Sequence, residues 1–309
     1  MQPLLREHMD RWYGRQNLWA RIDADPIAFP RRYQAPEDRE VAALIAASLA
    51  YGNVKAFGAV VEQLLALAGP SPAVFVREFD PARARPSFRR LYYRFSDADD
   101  LRAFFFILRE LTAPHGSLRA LFASLHRPED ADIGPLLCRY VEAALAVDAR
   151  AVYGKQAGGH GRKPAGLRHL FSGPGQGGAS KRLCMFLRWM VRPDDGVDLG
   201  LWPMIPPSKL IMPLDAHIVR LSRHLGLTRR KSAGWLMAQE VTANLRTICP
   251  DDPVKYDFAL CHYGMSGACP ATPVTAQCAR CDLQTVCRVG RRRTRRCPAA
   301  DVTLRPLEA

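Results

Sequence analysis

EDREVAALIAASLAYG, residues 37–52, decides the fold class. Acidic residues open the stretch, where they face the positive end of a helix dipole. Val41, Leu44, Ile45, Ser48 and Leu49 then recur at helical spacing and place one buried face on a helix. The same spacing marks 38–68, 99–112, 117–126, 134–149, 180–192, 215–226, 229–246 and 252–264. Period-two strand patterns are scarce and no internal repeat occurs. An all-α chain is expected.

The 309 residues are 48% apolar and 24% charged, the composition of a soluble globular protein. This length suits one large domain or two ordinary ones and can bury a core without disulfides. A wholly disordered chain is excluded. The opening MQPLLREHMDRWYGR carries charges where a signal peptide needs an apolar core, and no 18-residue apolar run exists. A cytoplasmic location with no membrane partner is expected. In a reducing compartment structural disulfides are rare, so the nine cysteines are either buried apolar residues or metal ligands.

The net charge is +14, and its distribution is uneven. Residues 1–150 carry 20 basic and 19 acidic side chains, while 151–309 carry 24 and 11. Excess positive charge in one half points to a polyanion, either nucleic acid or an acidic membrane surface. General arginine richness is the plainer explanation.

Residues 151–180 hold nine of the 22 glycines, with His160, Arg162, Lys163 and Arg168 among them. They are expected to form a mobile basic linker and then a glycine-rich turn, GPGQGGASK, at 173–181. The amphipathic KRLCMFLRWMVR follows directly. Residues 193–214 are proline-rich and expected to be irregular, and the tail 298–309 to be frayed.

Cys269, Cys278, Cys281 and Cys287 form C-x8-C-x2-C-x5-C. Four thiolates so close in sequence can wrap one metal centre. Structural zinc usually uses two C-x2-C knuckles, and only one is present. A compact run with uneven gaps suits a [4Fe–4S] cluster, with zinc as the alternative. Cys138, Cys184, Cys249, Cys261 and Cys297 are expected to be buried or incidental.

This cluster resembles the C-x6-C-x2-C-x5-C loop of the endonuclease III-like helix-hairpin-helix DNA glycosylases. The last two gaps match and the first is two residues longer. In that family the cluster shapes a basic loop that grips DNA phosphates. The resemblance gives that role to Arg280 and Arg288, with Arg291, Arg292, Arg293, Arg295 and Arg296 beyond them. A solvated basic tail is the plain alternative.

IMPLDAHIVRLSRHLGL, 211–227, resembles the family segment that carries the catalytic aspartate, which falls here on Asp215. A helix N-terminus holds a carboxylate ionised through the dipole and its free amides. A fixed carboxylate beneath the sugar stabilises the cation that forms as a base leaves. Read alone, Asp215 is an ordinary N-cap. His217 and Arg220 are expected to be structural or phosphate-facing.

The turn at 173–181 resembles the family's L-P-G-x-G-x-K hairpin. Its glycines, Gly175 and Gly177 here, let the backbone approach a phosphate. The family lysine corresponds to Lys181, although it sits two residues late, and 34 residues separate it from Asp215. Lys181 is either a nucleophile toward the sugar C1′ or a phosphate contact. LIAASLAYGNVKAF, 44–57, resembles the family helix whose following loop fills the gap left by a flipped base. Tyr51, Asn53 and Lys55 occupy that loop; the alternative is a helix closed by Gly52 with Tyr51 in the core. Arg188, Trp189, Trp202, Tyr256 and Asp257 are further pocket-wall candidates, with Trp189 the most core-like.

The resemblance implies a two-lobed helix-hairpin-helix fold with a C-terminal [4Fe–4S] loop. Residues 38–190 would form a helical barrel lobe, and 1–37 with 200–309 a second lobe. The implied enzyme is a monomeric glycosylase on double-stranded DNA that flips a damaged or modified base and cuts its N-glycosidic bond, with or without strand cleavage. The stretches KRLCMFLRWMVRPDDGVDLGLW and PLDAHI resemble a branch that includes a phage-defence glycosylase acting on glucosylated hydroxymethylcytosine. Two rivals remain: a non-catalytic DNA-binding protein with a structural metal site, and an iron–sulfur redox protein.

Overall fold

The computed structural model describes residues 2–154 and 163–296. His160 and Arg162 of the basic linker, Cys297 and the tail 298–309 lie outside the described residues, as do the side chains of Arg295 and Arg296. The chain is all-α: among the described residues the only β feature is an isolated antiparallel bridge between Tyr93 and Ser96.

The helices in the first half are α1 (Gln2–Tyr13), α2 (Pro36–Leu49), α3 (Val54–Ala68), α4 (Pro72–Arg77), α5 (Pro81–Phe88), α6 (Ala98–Thr112), α7 (Leu118–Leu125) and α8 (Gly134–Ala146). Then come α9 (Arg150–Tyr153), α10 (Ala165–Leu170), α11 (Lys181–Val191), α12 (Ala216–Leu225), α13 (Trp235–Arg246), α14 (Asp257–Met265), α15 (Thr275–Ala279) and α16 (Arg288–Arg296).

Local chemistry sets the boundaries. The 38–68 segment is two helices rather than one. The chain turns at Gly52, whose φ of +81° favours glycine, and Asn53 restarts it by accepting from the amides of Lys55 (2.9 Å) and Ala56 (3.3 Å). Short helices α4 and α5, not evident from periodicity, begin with the capping pairs Ser71-Pro72 and Asp80-Pro81. The helices read at 229–246 and 252–264 start later, at Trp235 and Asp257. Arg230 donates its amide to Thr228 Oγ1 in a turn, and Pro250 and Pro253 lack the amide a helix needs. The Arg run, expected as loop or tail, forms α16.

Helix α2 is the interior of the molecule. Every residue from Val41 to Leu49 is buried, more than the single face expected. Its alanines at 42, 43, 46 and 47 let α3, α4, α7 and α11 approach closely. The segment 193–214 is irregular as expected, yet it is core. Trp202 is fully buried and its indole donates to Glu40 Oε1 of α2 at 2.9 Å. The acceptor offsets the cost of taking the indole N–H out of water.

Asp198 of the same segment lies between Arg188 of α11 and Arg192, the residue that caps the end of that helix. Arg188 reaches Asp198 at 3.2 Å and pairs with Asp257 of α14; Arg192 also pairs with Asp198, and reaches Asp195 at 3.0 Å and Asp252 at 2.9 Å. Charges this deep stay only when paired, so the network fixes α11 and α14 against the irregular segment.

Candidate active site

A cavity of about 430 Å³ is lined by Tyr51 from the α2–α3 loop, Lys181 from α11, Asp215 from the start of α12 and Cys261 from α14. Helical spacing explains two of its walls. Lys181, Met185 and Arg188 follow i, i+4, i+7 on α11, and Asp257, Cys261 and Met265 follow i, i+4, i+8 on α14. Asp25 and His217 complete its charged and titratable lining.

Asp215 is the N-cap of α12. Its Oδ1 accepts from the Ile218 amide at 2.7 Å and its Oδ2 from the Cys261 thiol at 3.0 Å. Burial and the Asp215 charge push the Cys261 thiol well above its usual range, so it keeps its proton. Burial pushes Asp257 up to about 6 against the pull of Arg188. Lys181 opens α11 and donates from Nζ to the Ala50 carbonyl at 3.3 Å. Ser180, just before it, holds φ of +49° with its hydroxyl buried and unpartnered among the described residues. Such strain gathers where geometry serves function.

Arg182 holds the rim. It donates to the carbonyls of Ser48 (2.5 Å) and His169 and to Ser172 Oγ (2.7 Å), and lies 5.0 Å from the Tyr51 ring centre. Burial lowers its guanidinium to about 10. Tyr51 meets His169 edge-on at 4.6 Å and lies parallel to Phe95 at 6.2 Å. Tyr93 donates its hydroxyl to the Tyr51 carbonyl, joining this loop to the turn 92–96. There Arg94 has φ of +52°, and Tyr92 (64%) and Phe95 (59%) are exposed.

The structure thus brings together Tyr51, Lys181 and Asp215. Arg188 and Asp257, also expected at a pocket wall, line it too, whereas Asn53, Lys55, Gly175, Gly177, Arg280 and Arg288 do not. Asn53 is spent capping α3, and Lys55 lies in that helix's first turn. Gly175 and Gly177 sit in an exposed turn between α10 and α11, where Gly177 has φ of +85°. Arg280 is exposed at the end of α15, and Arg288 packs against Gly226 at the end of α12. His217 lines the cavity, whereas Arg220 is structural and donates to the carbonyls of Gly264 (3.1 Å) and Cys269 (2.7 Å). Trp189, Trp202 and Tyr256 are core. Cys261, expected to be buried or incidental, is a wall residue.

Cys269, Cys278, Cys281 and Cys287 line a second, narrow and largely apolar cavity. Among the described residues no three His, Cys, Asp or Glu side chains are close enough together to hold a single metal ion. Burial pushes the thiols of Cys269, Cys278 and Cys287 up, and neighbouring cysteines add to this. Half-buried thiols that resist ionisation individually become thiolates beside a compensating cation. Polar contacts already surround the sulfurs: Tyr263 Oη with Cys281 at 3.2 Å, His224 Nδ1 with Cys269 at 3.5 Å, and the Gly290 amide donating to Cys287 at 3.3 Å.

Residues 25–266 match the model of the family described as a protein of unknown function, DUF2400. The chain belongs to the DUF2400 family. The DUF2400 match contains every residue lining the Asp215 cavity except Ala24, and stops before Cys269. No curated protein and no solved structure matches the chain. Among the described residues no helix is long and apolar enough to cross a membrane.

Proposed function

We propose that this chain is a helix-hairpin-helix DNA glycosylase that flips a damaged or modified base out of duplex DNA and hydrolyses its N-glycosidic bond. The observation that carries this reading is the shared cavity: Tyr51, Lys181 and Asp215 come from three separate sequence motifs and line one space. About 430 Å³ lies within the range of pockets that enclose a small ligand.

In this reading the nucleotide enters the cavity and Tyr51 stays at its rim beside the stack. Flipping costs a few kcal/mol, least for a weakened pair. The C1′–N bond breaks with its electrons passing to the base, and the Asp215 carboxylate stabilises the cationic sugar. Water attacks C1′ and its proton passes to Asp215, which hands it through solvent to the departed base anion, so the products are the abasic sugar and the neutral base and the carboxylate is regenerated. Lys181 either contacts phosphate or attacks C1′ as an amine; borohydride trapping to DNA, lost in Lys181→Gln, marks the second route.

The two lobes are assigned as 38–190 and as 1–37 with 200–309, and the chain acts as a monomer. Cys269, Cys278, Cys281 and Cys287 hold a [4Fe–4S] cluster. A mononuclear zinc draws four sulfurs to about 2.3 Å from one point, whereas a cube gives each thiolate its own iron corner. The four cysteines line one cavity, and the uneven C-x8-C-x2-C-x5-C spacing, with a single C-x2-C pair, supports the cube. The cluster supplies structural cross-linking of the loop between α14 and α16. Exposed Arg280, Arg288, Arg291, Arg292 and Arg293 form no ion pair among the described residues and supply charge for DNA phosphates.

The test is unbiased base release. Protein is incubated with duplexes carrying uracil, oxidised purines or alkylated bases and with phage DNA containing hypermodified cytosine. Free bases are read by mass spectrometry. Release of one base class supports the reading. Tight DNA binding without any release supports a non-catalytic binding protein instead.

A further inference from the structure

The geometry points to Cys261 as a positioning residue that holds the Asp215 carboxylate in its working orientation through an S–H···O contact. This rests on the glycosylase reading of the cavity. Asp215 has two oxygens to fix. The Ile218 amide holds Oδ1 at 2.7 Å, which any N-cap carboxylate would accept. One contact leaves the carboxylate free to rotate about its Cβ–Cγ bond. The second oxygen, Oδ2, is held at 3.0 Å by Cys261 Sγ, 46 residues away on α14, and by no other donor among the described residues. The two contacts come from different helices, so they fix the carboxylate plane relative to the cavity they both line.

The chemistry of sulfur suits this position. A thiol is a weak donor, so it orients a carboxylate while drawing little charge from it. A strong donor such as a guanidinium would neutralise the charge that must face a cationic sugar. The thiol keeps its proton because burial and the Asp215 charge both oppose its ionisation. Met265 Sδ lies 3.8 Å from Cys261 on the next turn and adds a second soft, polarisable wall. A purely packing cysteine has no need to face a carboxylate. A misaimed catalytic group loses rate without losing binding.

The experiment compares full-length wild type, Cys261→Ala and Cys261→Ser in single-turnover base release, on the DNA that wild type processes in the panel above. Binding to a duplex containing a stable abasic-site analogue is measured alongside. The expected result for Cys261→Ala is about a tenfold loss in the release rate with binding within about twofold of wild type. Cys261→Ser keeps an O–H donor and restores most of the rate. Cys261→Ala that releases base at the wild-type rate overturns this inference alone. So does a Cys261→Ser rate as low as that of Cys261→Ala, which would make the role one of packing. If wild type itself releases no base, the glycosylase reading falls and this inference with it.

Discussion

Arg182 lies with its guanidinium 5.0 Å from the centre of the Tyr51 ring while donating to the Ser48 carbonyl at 2.5 Å. One half-buried cation therefore ties the end of α2 to the aromatic rim and, through His169 and Ser172, to the approach to α11. Arg182→Met fills the space but leaves three acceptors without their donor. A loss of about 3 kcal/mol in urea unfolding is expected, together with slower base release. Unchanged stability would remove Arg182 from the account of the rim.

His169 makes this rim sensitive to acid. Burial, then Arg182 and Arg94, lowers its pKa to about 4, below the ordinary 6.5. The folded state binds its proton less readily than the unfolded state does. The contribution to stability is therefore complete above pH 6.5 and is lost as pH falls toward 4. Thermal unfolding across that window should show a Tm decline that is smaller in His169→Gln. Equal declines would mean that other groups carry the acid response.

Tyr92 and Phe95 expose large aromatic faces on a turn tied to Tyr51, and Arg94 between them holds a left-handed conformation. Base–aromatic stacking contributes about 1–3 kcal/mol per base. Tyr92→Ala with Phe95→Ala should weaken binding to gapped or abasic duplex by about tenfold or more. The fold should be little affected, since both side chains are mainly in solvent. Wild-type affinity in the double variant would show that this turn does not meet DNA.

The cysteine loop predicts metal content. Protein purified without oxygen should carry about four irons and four sulfides per chain and absorb visible light. Cys281→Ser should lose that absorbance and lower Tm. One zinc per chain with no iron would replace the cluster with a mononuclear site.

Helical content is legible in the sequence because amphipathic spacing is local, and Asp215 because an N-cap acid before an apolar helix is a local pattern as well. Tyr51 and Lys181 are recognisable at their turns, although their local patterns do not put them in one cavity; only the family resemblance implies a groove shared by Lys181 and Asp215. Cys261 is not legible: a lone cysteine on a helix looks like core, and its partner lies 46 residues away in the chain. Tyr92 and Phe95 escape because exposure at a short turn has no period. The segment 193–214 looks peripheral because its prolines forbid helix. Its burial depends on Glu40 and Arg188, which only the folded chain brings to Trp202 and Asp198.

The central claim is that Asp215 supports N-glycosidic cleavage. Asp215→Asn keeps a side-chain oxygen for the Ile218 amide, and asparagine is as good an N-cap, so α12 should remain intact. Single-turnover release of the free base, measured by mass spectrometry for wild type and Asp215→Asn at equal DNA binding, tests it most directly. The account predicts release by wild type and a loss of about 10²–10⁴-fold in the variant. Equal release by both proteins, or none by wild type on any DNA it binds, would contradict it.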